Sequence, residues 1–223
     1  MKSKIKAIII SGALALSTFF ISSYSVAFEN SLESENRPEI IESNLMLVNK
    51  NNSLKSSYKP KELVIPNISF DTSATKEERL MTPNSAKAIE KLFKDARKDG
   101  INFLGMSAYR SYDLQKHTYY NRIRSVGKKE ADKYVAKPGK SEHQTGLAID
   151  VTNKDRWFVK STAEAQWLAA NAHEYGFILR YPEGKENITG VSYEPWHIRY
   201  IGKKVAQKIY DEQITFEEFS EKK

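Results

Sequence analysis

The chain has 223 residues, of which 40% are hydrophobic and 28% are charged, a composition typical of a globular protein with one domain and additional segments. It contains no cysteine, which excludes disulfides, thiolate zinc ligands and a cysteine nucleophile. The net charge of +7 fits a protein that works beside an anionic polymer, while no basic stripe interleaved with aromatic residues indicates nucleic-acid binding.

Residues 1–27 are predicted to be an export signal. Lysines near the amino terminus precede an uncharged, mostly apolar run over residues 7–21, and residues 25–27 have the small-x-small pattern of a cleavage site. The alternative is an uncleaved membrane anchor, but the strongly apolar run of about 15 residues is shorter than the roughly 20 needed to span a bilayer. In either case we expect the rest of the chain to lie outside the cytoplasm, bound to the membrane only if the segment is uncleaved.

Residues 28–44 are polar and acidic without periodicity, which is typical of a disordered linker. The remainder, residues 45–223, is predicted to be one domain. Its first apolar run, residues 45–50, ends in an Asn-Asn-Ser sequence and predicts a strand followed by a turn.

Beyond residue 80 the pattern predicts helices and strands in mixed order. Helical periodicity or capping residues place helix starts near Asn84, Ser111, Lys128, Ser161 (as a capping box with Glu164), Lys203 and Thr215. Predicted strands cover residues 101–108, 147–151, 177–181 and 196–201, and the second should be central because it is apolar on both faces. Without regular alternation or a repeat, the order predicts an α+β domain whose small sheet is flanked by helices.

Two segments carry residues suited to hydrolytic chemistry. Ser141–Asp150 contains His143 and Asp150 on either side of a glycine that can turn the chain, and residues 194–197 read Glu-Pro-Trp-His. Together they offer two imidazoles, one carboxylate ligand and one spare carboxylate, as in a hydrolytic zinc site. Either segment alone is more often a structural hydrogen-bonded pair.

Several longer motifs make the chain, from about Met46 to its end, similar to the VanY-type D-alanyl-D-alanine carboxypeptidases, exported zinc peptidases that trim bacterial peptidoglycan stems. The matching segments are Leu47-Val48-Asn49-Lys50 with Tyr58-Lys59-Pro60, Ser107-Ala108-Tyr109-Arg110-Ser111-Tyr112 with Gln115, residues 138–150, residues 176–182 and residues 194–200. This resemblance implies a single domain with a small, mainly antiparallel sheet flanked by helices, the LAS-type zinc peptidase fold.

The resemblance also implies roles for particular residues. His143, Asp150 and His197 would bind one zinc ion, and Glu194 would be the catalytic base. The family's arginine that supports the developing oxyanion falls on Arg110.

Substrate contacts are predicted, by family position and polarity, at Ser141, Gln115 and Arg180. Plainer alternatives are that Ser141 caps its loop and that Arg180 and Arg199 pair with surface acids. Glu142 is a second carboxylate beside a predicted ligand, but the role of base is assigned elsewhere.

The function predicted from this resemblance is removal of the terminal D-alanine from peptidoglycan stem peptides by a monomeric enzyme. An L,D-carboxypeptidase acting on tetrapeptide stems would use the same site. A different class of function is a catalytically silent wall-binding module that keeps the fold.

Overall fold

The computed structural model describes residues 43–222, and Asn44–Lys223 form one compact unit. The predicted export signal and nearly all of the predicted linker lie outside the described residues. Within residues 43–222, the helices are too short or too polar to cross a membrane.

A four-stranded antiparallel sheet lies at the centre of the domain. Its strands are β1 (Leu104–Ser107), β2 (Ala148–Thr152), β3 (Phe177–Leu179) and β4 (His197–Tyr200), in the order β1-β2-β4-β3. The inner position of β2 confirms the prediction from its apolar residues, since four of its five residues are buried. The antiparallel sheet with surrounding helices confirms the predicted α+β fold class.

Seven helices accompany the sheet in the described part of the chain. They are α1 (Pro83–Lys98), α2 (Tyr112–Val126), α3 (Lys128–Tyr134), α4 (Ala163–Asn171), α5 (Glu186–Thr189), α6 (Lys203–Glu212) and α7 (Phe216–Glu221). The Ser111 hydroxyl accepts the Leu114 amide and so caps α2, as predicted. A complete capping box between Thr215 and Glu218 begins α7.

The hydrophobic core lies between α1 and the sheet. Helix α1 contributes a buried stripe at helical spacing, Ala86, Ile89, Leu92, Phe93 and Ala96, which packs with Ile149, Val151, Phe177 and Ile198 of the strands. A smaller cluster joins Ile178 and Ile201 to the apolar faces of α6 and α7. These two clusters hold the sheet in place, and its two inner strands, β2 and β4, carry Asp150 and His197 of the site.

Two local predictions are wrong. Residues 45–50 form no strand in this structure, because the carbonyl oxygens of Asn44 and Met46 accept hydrogen bonds from Arg199 instead of from a neighbouring strand. Helix α4 is capped by Thr162, whose hydroxyl accepts the Ala165 amide, rather than by the predicted box at Ser161.

Candidate metal centre and active site

His143 is presented by a 3₁₀ turn, Glu142–Thr145, directly before β2. Gly146 ends this turn with a φ of 66°, and a Cβ there would lie 2.8 Å from Leu63 Cδ2, so only glycine fits. His143 Nδ1 lies 2.6 Å from the Ala108 carbonyl oxygen and donates its proton to it. That hydrogen bond leaves the Nε2 lone pair of His143 available to a metal.

The pairing of β2 with β4 brings the other two predicted ligands together. Asp150 and His197 are direct partners across these strands. His197 Nδ1 lies 2.8 Å from Asp150 Oδ1, and His143 Nε2 lies 3.4 Å from Asp150 Oδ2. One ligand atom from each of the three residues lies within 4.8 Å of the others.

The residues present fit a zinc ion. Two imidazole nitrogens and one carboxylate converge at the wall of a cleft, and this is the donor set of catalytic zinc sites that keep a further position for water or substrate. Both imidazoles are almost fully buried, so their ring orientations are held by packing.

Burial and the neighbouring groups set the charges of the three ligands. Burial lowers the pKa of His143. Burial would also lower the pKa of His197, but the hydrogen bond to Asp150 and the facing Glu142 carboxylate outweigh burial and raise this pKa to about 9. Burial opposes ionisation of Asp150, yet the two imidazoles outweigh it and hold its pKa below the usual range. Asp150 is therefore a carboxylate.

Glu194 lies in the loop before β4, with 4% of its surface exposed. Its Oε2 is 4.0 Å from His197 Nδ1, so the carboxyl group borders the ligand cluster without belonging to it. Burial raises the pKa of Glu194 to about 8, and the charges of His197 and Arg110 offset this only in part. The group is placed to exchange protons with a water molecule in the cleft.

The cleft has a volume of 530 Å³ and contains three further predicted site residues, Arg110, Gln115 and Ser141. Arg110 Nη2 lies 3.9 Å from Asp150 Oδ2. Gln115 Nε2 donates to the Ala136 carbonyl at 2.7 Å, while its buried Oε1 has no hydrogen-bond partner in the described chain. All three line the cleft, and the oxyanion role of Arg110 and the substrate contacts of Gln115 and Ser141 stay predictions.

Arg180 is the exception, and its predicted substrate contact is wrong. The side chain is fully buried and does not line the cleft. Its guanidinium donates to Glu142 Oε1 at 2.8 Å and to both carboxylate oxygens of Glu217 at 2.9 and 2.6 Å. The alternative of pairing with acids is what the structure contains, although these acids are buried rather than exposed.

The cleft also contains residues that the sequence reasoning missed. They include Arg122, Tyr134, Tyr181 and Trp196. Arg122 is seven positions after Gln115 on α2, so helical spacing from a predicted contact would have placed it on the same face. Trp196 packs against the core and also lines the cleft.

Comparison with known families matches residues 78–203 to the VanY model, described as D-alanyl-D-alanine carboxypeptidase. That range contains every residue predicted here for the site. The Bacillus subtilis protein YodJ is 43% identical over 196 residues, which cover 86% of this chain and 71% of YodJ.

Solved structures give the same relationship. The LD-carboxypeptidase LdcB superposes with a TM-score of 0.74 and 43% identity, over 80% of this chain and 86% of LdcB. The vancomycin-resistance D,D-pentapeptidase VanY, in a mutant form in complex with Zn(II), gives a TM-score of 0.67 and 32% identity over 79% of this chain and 98% of that one. The chain therefore has the fold of solved carboxypeptidases, one of which is in complex with Zn(II).

Proposed function

The chain belongs to the VanY family of D-alanyl-D-alanine carboxypeptidases and is a zinc metallocarboxypeptidase, and on this basis we propose that it removes the terminal D-alanine from peptidoglycan stem peptides outside the cytoplasm. The observation that carries the proposal is the convergence of His143, Asp150 and His197 on one wall of a cleft that also contains Glu194. The chain has every residue type that the hydrolysis requires, which argues against a catalytically silent module.

The ligands and the base divide the chemistry between them. His143, Asp150 and His197 would hold the zinc ion, which when bound would supply a Lewis acid for the scissile carbonyl and for water. Glu194 accepts a proton from the attacking water and delivers a proton to the leaving amine of D-alanine. Its buried position beside the ligands excludes bulk water from that transfer.

The remaining cleft residues orient the substrate. Arg110 lies close enough to the ligand cluster to donate to the carbonyl oxygen as negative charge develops there. A carboxypeptidase also has to hold a free terminal carboxylate, and the hydroxyl of Ser141 and the amide of Gln115 are polar groups available in the same cleft. Because Gln115 is anchored to Ala136, its amide is oriented before substrate arrives.

A second specificity is supported by a particular observation. Identity to the LD-carboxypeptidase LdcB is 43%, against 32% to the D,D-pentapeptidase. The family description favours cleavage of a D-Ala-D-Ala bond, whereas this identity favours release of D-alanine from a tetrapeptide through an L,D bond.

Defined stems separate the two specificities. Purified protein of measured zinc content would be incubated with a pentapeptide stem and with a tetrapeptide stem, and released D-alanine would be quantified. Release from the pentapeptide is the expected result. Release from the tetrapeptide alone would replace the D,D assignment with the L,D one, and no release from either would reject the proposed function.

Export is supported by the composition of residues 1–27. Sequencing the amino terminus of the protein recovered outside producing cells tests it. A mature chain that begins at residue 28 is expected. A chain that is retained in the membrane with residues 1–27 intact would instead support the anchor, and a wholly cytoplasmic protein would contradict both.

A further inference from the structure

We propose that Glu142 is a positioning residue of the metal site, which holds the His197 ring in the tautomer that binds a metal through Nδ1. This inference rests on the zinc site of the proposed function and adds to it a carboxylate that is neither ligand nor base. It concerns the side of His197 that faces away from the cleft.

The two nitrogens of His197 face different groups. Nδ1 faces the ligand cluster, 2.8 Å from Asp150 Oδ1, whereas Nε2 lies 3.6 Å from Glu142 Oε2. Both His197 Nε2 and Glu142 Oε2 are buried, and neither has a hydrogen-bond partner among residues 43–222. Each of these two atoms can therefore serve as the hydrogen-bond partner that the other lacks.

The chemistry of imidazole makes this pairing consequential. A neutral imidazole carries one proton, so a ring that ligates through Nδ1 has to carry its proton on Nε2. A carboxylate facing Nε2 accepts that proton in a hydrogen bond, fixes the tautomer and makes the ring a stronger donor to the metal. Glu142 is the carboxylate in that position.

Glu142 is held so that only one of its oxygens is free for His197. Its Oε1 accepts from Arg180 Nε at 2.8 Å and from Arg199 Nη1 at 2.7 Å, and all three side chains are fully buried. These two buried guanidinium groups hold the carboxylate in place with Oε2 towards His197.

Arg180 and Arg199 also connect Glu142 to distant parts of the chain. Arg180 is bonded to Glu217 of α7, and Arg199 Nη2 donates to the carbonyl oxygens of Asn44 and Met46 at 3.1 and 2.8 Å. Segments near both ends of the described chain thus restrain the carboxylate that faces His197.

A role confined to packing would make Glu142 and Glu217 equivalent, because both are buried acids bonded to Arg180. Their other contacts differ: Glu142 also accepts from Arg199 and faces His197 Nε2, whereas Glu217 accepts from Asn49 Nδ2 and does not face His197. Glu217→Gln is therefore the matched control for Glu142→Gln, since both substitutions remove one negative charge from the same cluster.

The test measures zinc binding rather than turnover. Folded, zinc-free wild type and both variants, checked by circular dichroism, would be titrated with zinc against a competing chromophoric chelator. Glu142→Gln should raise the Kd for zinc about 10–100-fold, the usual consequence of losing such a partner. Glu217→Gln should lower Tm while the Kd changes less than about twofold. Equal changes in Kd for the two variants, or none for Glu142→Gln, would overturn the proposal.

A second readout needs no variant. In the zinc-loaded wild type, nitrogen-15 NMR should detect a slowly exchanging His197 Nε2–H, with Nδ1 shifted by the metal. A ring protonated on Nδ1 would overturn the inference even if Glu142→Gln failed to fold. Failure of the proposed function is distinguishable, because wild type would then bind no zinc or release no D-alanine.

Discussion

Two clusters of buried charge lie on opposite sides of the His197 ring. The core cluster consists of Glu142, Glu217, Arg180 and Arg199, whose ionic hydrogen bonds measure 2.6–2.9 Å. The cleft cluster consists of His143, Asp150, His197, Glu194 and Arg110, in which Arg110 stays 3.9 Å from Asp150 and Glu194 stays 4.0 Å from His197.

The two clusters differ in how closely their charges are bonded, and this difference indicates what each cluster does. Charges of the core cluster use nearly all of their hydrogen bonds on one another and on backbone carbonyls, so they act mainly on the fold, and one Glu142 oxygen is left to face His197. In the cleft cluster His197 and Asp150 are hydrogen-bonded, but Arg110 and Glu194 stay 3.9 and 4.0 Å from the ligands, which costs free energy in the folded protein and leaves them available to a bound peptide. Glu142 and His143 are adjacent in sequence, yet they serve opposite clusters.

The largest effect is expected for the base of the cleft cluster. Glu194→Gln should lower kcat about 10²–10⁴-fold, because the amide cannot accept the proton of water, while zinc stoichiometry stays at the wild-type value. Zinc by atomic absorption and D-alanine release measure the two quantities. Glu183→Gln, which removes an exposed acid paired with Lys160, is the control and should retain full activity. Wild-type turnover by Glu194→Gln would remove Glu194 from the mechanism.

In the core cluster we expect the main effect of a substitution on the free energy of unfolding. Arg180→Gln leaves two buried carboxylates short of their partner and should lower the free energy of unfolding by about 3–5 kcal/mol. Urea denaturation of the zinc-free protein measures this. Were Arg180 a substrate contact after all, the variant would keep its stability and show a raised KM, and the division between the clusters would not hold.

Substitution of Arg110 should lower activity, as for Glu194, rather than stability, as for Arg180. Arg110→Gln removes a donor to the developing oxyanion and is expected to lower kcat about 10²–10³-fold. Its unfolding free energy should change much less than that of Arg180→Gln, since Arg110 is bonded less closely. Steady-state kinetics and urea denaturation on one preparation compare the two, and an effect on stability alone would place Arg110 with the core cluster.

An ion pair outside both clusters gives the smallest effect. Hydrogen bonds from Ser73 and Arg156 lower the pKa of Asp71 to about 2. This folded-state pKa is below that of the unfolded chain, about 3.9. The ionised Asp71 therefore contributes to the free energy of unfolding above pH 4, and this contribution is lost as pH falls towards 2.

Asp71→Asn should therefore have a lower Tm than wild type near neutral pH and lose less stability between pH 4 and 2. Thermal unfolding of zinc-free protein over that range checks it. Parallel curves for the two proteins would contradict the assigned role of Asp71.

The contrast between the clusters also explains which predictions the sequence could support. His143, Asp150 and His197 were identifiable because metal-ligating residue types recur in short motifs that resemble a known family. Their convergence depends on the β2–β4 register, which brings Asp150 opposite His197 and which no local pattern specifies. The fold class and the central position of β2 followed from apolar periodicity.

The contacts of the core cluster could not be predicted from the sequence, for a related reason. Arg180 and its partner Glu217 are 37 residues apart, and nothing near either one signals the other. An arginine in a family motif was therefore interpreted as a substrate contact, although tertiary packing buries it. The strand predicted at residues 45–50 failed in the same way, because Arg199 supplies the hydrogen bonds that a neighbouring strand would have made.

We place His197 between the two clusters, with Nδ1 in the metal site and Nε2 towards Glu142. Anomalous diffraction at the zinc edge, from crystals of the zinc-loaded protein, measures this arrangement. We expect one zinc peak in contact with His143 Nε2, the Asp150 carboxylate and His197 Nδ1, with Glu142 hydrogen-bonded to His197 Nε2. A peak bonded to His197 Nε2 or to Glu142, or no peak among these three residues, would contradict it.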